Sequence, residues 1–315
     1  MNTENEYIKE EKTRLWIIPK NDLEAKAIAE MLERNGERYL VTGQKWGASW
    51  DGLEQEIKEQ IAEAQREGKQ VNGVELKGRP EGSNNIDHHI YDVKYNTGVP
   101  KLNSEGNQAK DREGNLLYVE NRSNPDSSIE QVAKILGVYL TVDEMFIAAN
   151  DKGYIPSMEK LGAKLGIEGA DLQEVISNIR LRDREMQGIT MEQEVQAQEA
   201  IDRLGEITEK KPYILIDRLP HSRSATITDK LYGKYDNLLI TSQDGESNFY
   251  GTTEIINMLN ERFPGGWSGG QLSQGSGFWG GYADQNAIKA TVQKMIEKTK
   301  SVDMADKDTS DFIIE

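Results

Sequence analysis

The feature that most constrains this chain's fold is the alternation of its first 90 residues. "RLWIIPK" (14–20) reads as a short buried strand, and "NDLEAKAIAEMLERNGE" follows as a helix. Ala25, Ile28, Ala29, Met31 and Leu32 recur there at helical spacing; Asn21 or Asp22 can cap the start, and Gly36 suits the stop. "RYLVTGQ" is a second strand. "DGLEQEIKEQIAEAQREG" is a second helix, with Leu53, Ile57, Ile61 and Ala64 on one face and Asp51 as its expected N-cap. "QVNGVELKG" and "NNIDHHIYD" read as two more strands. Strands alternating with helices predict an α/β protein with a doubly wound parallel sheet.

At 315 residues the chain exceeds the usual single-core size, so two domains are expected. The first spans 1–170, a helical linker covers 171–210, and a smaller α/β domain covers 211–299. An acidic, flexible tail occupies 300–315. Within the first domain, 97–126 breaks the rhythm with Gly, Asn and charge and reads as an inserted hairpin or an excursion over the sheet edge. "SSIEQVAKILG" is a capped helix, and "TVDEMFIAANDKGYIPSMEKLG" is a helix interrupted around 150–156.

Acidic residues outnumber Lys and Arg by 54 to 38, giving a formal net charge of −16. That balance argues against tracking long duplex nucleic acid, which needs a basic groove. It leaves room for a small anionic ligand in a local pocket. The chain has no cysteine, which excludes disulfides and cysteine-ligated zinc. No apolar run is long enough to span a bilayer, and the amino terminus has no signal-peptide pattern, so a cytoplasmic location without membrane contact is expected.

The chain has only three histidines, and two of them, His88 and His89, stand directly behind Asp87 at a predicted strand end. Open α/β sheets place ligand sites there. The Asp-His-His triplet resembles the signature of the DHH/DHHA1 phosphoesterase superfamily, whose members are RecJ-like and nanoRNase-like. Three further segments occur in the order that family requires. Asp22 and Glu24 fall on the two acidic positions of its first motif, "SSIE" (127–130) on its helix-start motif, and Asp151 with Gly153 on its fourth motif. Glu75 is the best counterpart of the second motif, with Asp51 next. Ile18 stands where the family has a histidine, and Trp267 stands where its carboxyl-terminal loop has another. The resemblance covers about 14–290.

The resemblance implies a metal-dependent phosphodiesterase. Its implied metal ligands are Asp22, Glu24, Glu75, Asp87, His88 and Asp151, holding one or two Mn²⁺ (or Mg²⁺) ions. Asp87, His88 and His89 would form the catalytic centre, with His89 near the substrate. The implied substrate is a small nucleotide: a nanoRNA, a linear or cyclic dinucleotide, or another nucleotide signal. A homodimer is admitted. The alternative is a nucleotide-binding or partner-binding protein on a degenerate core of the same fold.

A glycine-dense stretch, "PGGWSGGQLSQGSGFWGGY" (264–282), interleaves glycines with Trp267, Phe278, Trp279 and Tyr282. Glycines let backbone approach phosphate and aromatics stack on bases. We therefore expect Gly265, Gly266, Trp267, Gly269, Gly270 and Trp279 to bind substrate rather than to form a flexible linker, with Arg223 and Lys230 as candidate phosphate contacts. Trp46 and Trp50 either line the same cleft or pack. Capping alone would account for Asp22 and Asp51, and a plain turn for Asp151.

Overall fold

A computed structural model describes residues 13–45, 47–78, 80–87, 99–100, 103, 107, 110, 118–119, 126–270, 272 and 275–310. These divide into two compact units, one drawn from stretches within 1–97 and 121–187, the other from 98–120 and 188–315.

Unit 1 is built on four parallel strands: β1 (Arg14–Ile18), β2 (Arg38–Val41), β3 (Gln70–Val74) and β4 (Ser83–Ile86), in the order β2-β1-β3-β4. Successive side chains of a strand face opposite ways. Leu15 and Ile17 join Ile57, Ile61 and Ala64 of helix α2 (Gln55–Arg66) in one core. Trp16, fully buried between them in sequence, instead donates its indole N–H to Glu37 at 3.0 Å. Helix α1 (Leu23–Arg34) connects β1 to β2 and buries Leu23, Ile28, Met31 and Leu32. The N-cap of α2 is Glu54, not Asp51; Asp51 lies in an exposed turn where its carbonyl accepts from Lys58.

Helix α3 (Ser128–Leu136) opens with a capping box from Ser127 and Glu130. Helix α4 (Val142–Leu165) opens with another from Thr141 and Glu144, and breaks at Gly153 and Tyr154, just ahead of Pro156. The residues read as a linker are two helices, one in each unit: α5 (Gly169–Met186) in unit 1 and α6 (Met191–Asp202) in unit 2.

Unit 2 carries a five-stranded mixed sheet. Strands β7 (Ile214–Leu219) and β8 (Leu238–Ser242) are parallel. Strands β9 (Ser247–Thr252), β11 (Ser276–Gly281) and β10 (Trp267–Gly269) extend it antiparallel. Leu238 and Ile240 bury with Ala197 and Ala200 of α6 and Ile227 of α7 (Ala225–Lys230). Leu239 points the other way, into a core with α8 (Thr253–Arg262) and α9 (Gln285–Ser310). Helix α9 thus runs through most of the stretch expected to be a flexible tail. A two-stranded antiparallel pair, β5 (Val99–Pro100) and β6 (Tyr118–Val119), lies in the segment expected to be an inserted hairpin. No described helix is long and apolar enough to cross a membrane.

Candidate metal centre

The strand order β2-β1-β3-β4 places a topological switch point between β1 and β3: the chain leaves β1 toward one side and β3 lies on the other. Crevices at such points, beyond the carboxyl ends of the strands, are where open α/β sheets hold ligands. Two acidic segments flank this one. The first follows β1, where Asn21, Asp22 and Glu24 are all buried. The second follows β3, where Glu75 takes a left-handed backbone conformation, φ 52°.

Asp22 caps α1, accepting from the Ala25 N–H at 3.0 Å. Glu24 accepts from the Ile129 N–H at 3.0 Å through Oε1, which ties α1 to the first turn of α3. The Glu75 carboxylate accepts from the Asn21 amide at 2.8 Å and the Ser128 hydroxyl at 3.2 Å. Asp151 lies in α4 two residues before its break.

Glu24, Glu75 and Asp151 each bring a carboxylate oxygen within 4.8 Å of the others. Asp22 belongs to the same electrostatic cluster. Burial first, then the charges of Glu75 and Asp151, push its carboxyl well above the usual range. Glu24 is pushed up in the same way by burial, then by Asp151 and Glu75. Glu24 is 2% exposed, and its Oε2 is buried with no hydrogen-bond partner among the described residues. Buried carboxylates are normally paired or coordinate a metal. An all-oxygen, hard-donor set that includes the unsatisfied Glu24 Oε2 fits Mg²⁺ or Mn²⁺.

Of the ligands expected from sequence, the structure brings together Glu24, Glu75 and Asp151, with Asp22 in their field. Asp22 also performs the capping role that was its rival reading. Asp87 follows β4 directly and is half-buried. His88 and His89 lie outside the described residues, as does Trp46. Sequence reading took Asn21 only as a possible helix cap, where it instead holds Glu75, and missed the groups on α5: Arg180, Asp183 and Arg184 are all buried. A signal existed, since Ile176, Ile179, Arg180, Asp183 and Arg184 follow one helical face, but its second half is charged and reads as solvated.

The left-handed Glu75 yields a test of whether function imposes its backbone. That conformation costs a non-glycine residue about 1–2 kcal/mol. Glu75→Gly should therefore be more stable than Glu75→Ala by about that amount in urea denaturation, since both remove the carboxylate and only glycine relieves the backbone. Equal stabilities would show that no strain is stored there.

In the glycine-dense stretch, the expectation that Trp279 stacks on substrate is overturned by its burial. The stretch forms the β10–β11 hairpin, and its Trp279 is 0% exposed in the core with Phe249, Ile256 and Leu259. A ring covered on both faces cannot stack on a base. Two of the glycines make room for the indoles. A Cβ at Gly266 would lie 2.6 Å from the Trp279 indole nitrogen, and one at Gly280 would lie 2.4 Å from the Trp267 ring. Trp267 is 41% exposed, with Tyr282 at 5.9 Å between ring centroids. Arg223 is exposed, its N–H donating to the His221 ring at 3.1 Å. Trp50 also packs, 6% exposed in the core beside α2. Gly280→Ala should lower stability by about 1–3 kcal/mol, through overpacking against Trp267; a thermal melt matching wild type would contradict this.

No family model and no curated protein matches the chain. Among solved structures, RecJ in complex with Mn²⁺ from Thermus thermophilus is similar with a TM-score of 0.40 at 9% identity, covering 90% of this chain and 52% of that one. The same protein in complex with Mg²⁺ gives 0.39 at 9% identity, covering 90% and 50%. This chain therefore spans about half the length of the Thermus protein. Exonuclease RecJ bound to manganese gives 0.37 at 10% identity, covering 90% of both chains. Each of these similarities covers 90% of this chain, at 9–10% sequence identity.

Proposed function

We propose that this chain is a divalent-metal-dependent phosphodiesterase acting on a small nucleotide: a nanoRNA, a linear or cyclic dinucleotide, or another nucleotide signal. The observation that carries this reading is the carboxylate cluster of Glu24, Glu75 and Asp151 at the β1/β3 switch point, with the buried Glu24 Oε2 unsatisfied. The same residues fall on the acidic positions that resemble the DHH motifs. When bound, a divalent ion supplies charge neutralisation at phosphoryl oxygens and lowers the pKa of water.

The remaining roles belong to the chain. Glu24, Glu75 and Asp151 would hold the ion, with Asp22 beside them. Asn21 and Ser128 fix the Glu75 carboxylate, and the Ile129 N–H fixes Glu24, so the donors are oriented before the ion arrives. The Asp87-His88-His89 segment would complete the centre from the end of the neighbouring strand β4. The acidic surface favours a small substrate over long duplex nucleic acid.

The test is hydrolysis of a panel of dinucleotides, cyclic dinucleotides and short RNAs in Mn²⁺, Mg²⁺ or EDTA, together with thermal melts. The expected result is turnover that EDTA abolishes, and a melting temperature that rises with Mn²⁺. An unchanged melt in saturating Mn²⁺, with no metal detected on the protein, would instead support the non-catalytic alternative.

A further inference from the structure

The cluster needs Asp151 held at one place, yet Asp151 lies just before a break in its helix. Gly153 (φ −170°, ψ 27°) and Tyr154 (φ 59°, ψ −149°) leave helical geometry there. Tyr154 occupies a region that non-glycine residues enter only where the surroundings over-determine them. Arg180 of α5 packs against this break.

Arg180 is 7% exposed, and its contacts bracket Asp151 in sequence. Its Nη1 donates to Asn150 Oδ1 at 2.9 Å, and its guanidinium carbon lies 4.6 Å from the centroid of the Tyr154 ring. The same Nη1 donates to Asp183 Oδ2 at 2.7 Å. Asp183, 5% exposed, accepts in turn from the Leu23 N–H through Oδ1 at 3.5 Å, the residue between Asp22 and Glu24. One buried ion pair on α5 therefore reaches both the α1 segment that carries Glu24 and the α4 segment that carries Asp151.

We propose that Arg180 is a positioning residue of the metal centre: by gripping Asn150 and Tyr154 on either side of Asp151, and by orienting Asp183 toward the start of α1, it fixes the spacing of the carboxylates without touching the ion. The inference rests on the proposed metal-binding reading. A planar guanidinium can donate to two acceptors and stack on a ring at once, and an ammonium cannot reproduce that combination. Removing partners of this kind typically weakens metal affinity about 10- to 100-fold.

The experiment uses the full chain and Mn²⁺ alone. Calorimetric titration and Mn²⁺ electron paramagnetic resonance would be run on wild type, Arg180→Lys, Arg180→Met and Asn150→Ala, each with a metal-free melting temperature. Ile176→Val, a core change on the same helix, is the control for simple destabilisation. We expect about a 10-fold rise in Kd for Arg180→Lys and Asn150→Ala and up to about 100-fold for Arg180→Met, with an altered Mn²⁺ spectrum. Ile176→Val should lower the melting temperature and leave Kd unchanged. If Arg180→Met fails to fold, Asn150→Ala at its half-buried position still decides the question. Wild-type affinity in Arg180→Lys and Asn150→Ala, whatever their melting temperatures, would overturn the positioning role and leave the metal reading standing. Wild type that binds no Mn²⁺ would overturn both.

Discussion

Glu24→Gln is expected to abolish stabilisation by Mn²⁺ and to lower metal-dependent turnover by roughly 10²-fold or more. Glutamine keeps the shape of the side chain and an acceptor for the Ile129 N–H. It removes the charge from the Glu24 carboxylate, whose Oε2 is buried without a hydrogen bond among the described residues. In wild type, Mn²⁺ at about 100 times Kd should add about 2.7 kcal/mol. For a unit of this size that is roughly a 5–10 °C rise in melting temperature. In Glu24→Gln the rise should vanish.

The metal-free proteins should differ in the opposite sense, and the difference should depend on pH. Burial, then Asp151 and Glu75, hold the Glu24 carboxyl above its usual range. A group with a raised folded pKa binds its proton more tightly folded than unfolded. Its contribution to stability is full below the unfolded pKa and is lost as pH rises through the folded one. Wild type should therefore match Glu24→Gln at low pH and fall below it as pH rises, an order that Mn²⁺ reverses. Melts from pH 4 to 8 in EDTA and in Mn²⁺ would check this. A full Mn²⁺ shift in Glu24→Gln would remove Glu24 from the site.

Trp279→Ala is expected to destabilise unit 2 by about 3–5 kcal/mol, a large part of the 5–15 kcal/mol that holds a typical domain. Trp279 is fully buried against Phe249, Ile256 and Leu259, with the Phe263 ring centroid 6.2 Å away. Trp267→Ala removes a ring that is 41% exposed and should cost only about 1 kcal/mol. Urea denaturation followed by circular dichroism would separate the two. If Trp279→Ala kept wild-type stability and weakened nucleotide binding instead, its burial would not describe the working protein.

Much of the fold was legible because it is set by near neighbours. Alternating strands and helices follow from side-chain periodicity, so β1, α1, β2, α2 and β3 fall where the pattern puts them. The capping boxes of Ser127 with Glu130 and Thr141 with Glu144 are three-residue events. The acids at Asp22, Glu24 and Glu75 were legible through the motif resemblance alone, and the fold places the first two after β1 and Glu75 after β3.

Tertiary structure decided what distant residues do to one another. Sequence offered six ligands; only packing brought Glu24, Glu75 and Asp151 within 4.8 Å. Aromatic residues among glycines are compatible with a stacking loop and with a core hairpin, and strand pairing of β10, β11 and β9 put Trp279 inside. Charged residues on a helix usually face water, so Arg180 and Asp183 read as part of a linker until α5 was seen buried against its neighbours. Backbone conformation and caps are local, and the chain writes them within a few residues. Burial, pairing order and the convergence of charges depend on contacts made across tens of residues to more than a hundred, and these exist only once the chain has folded.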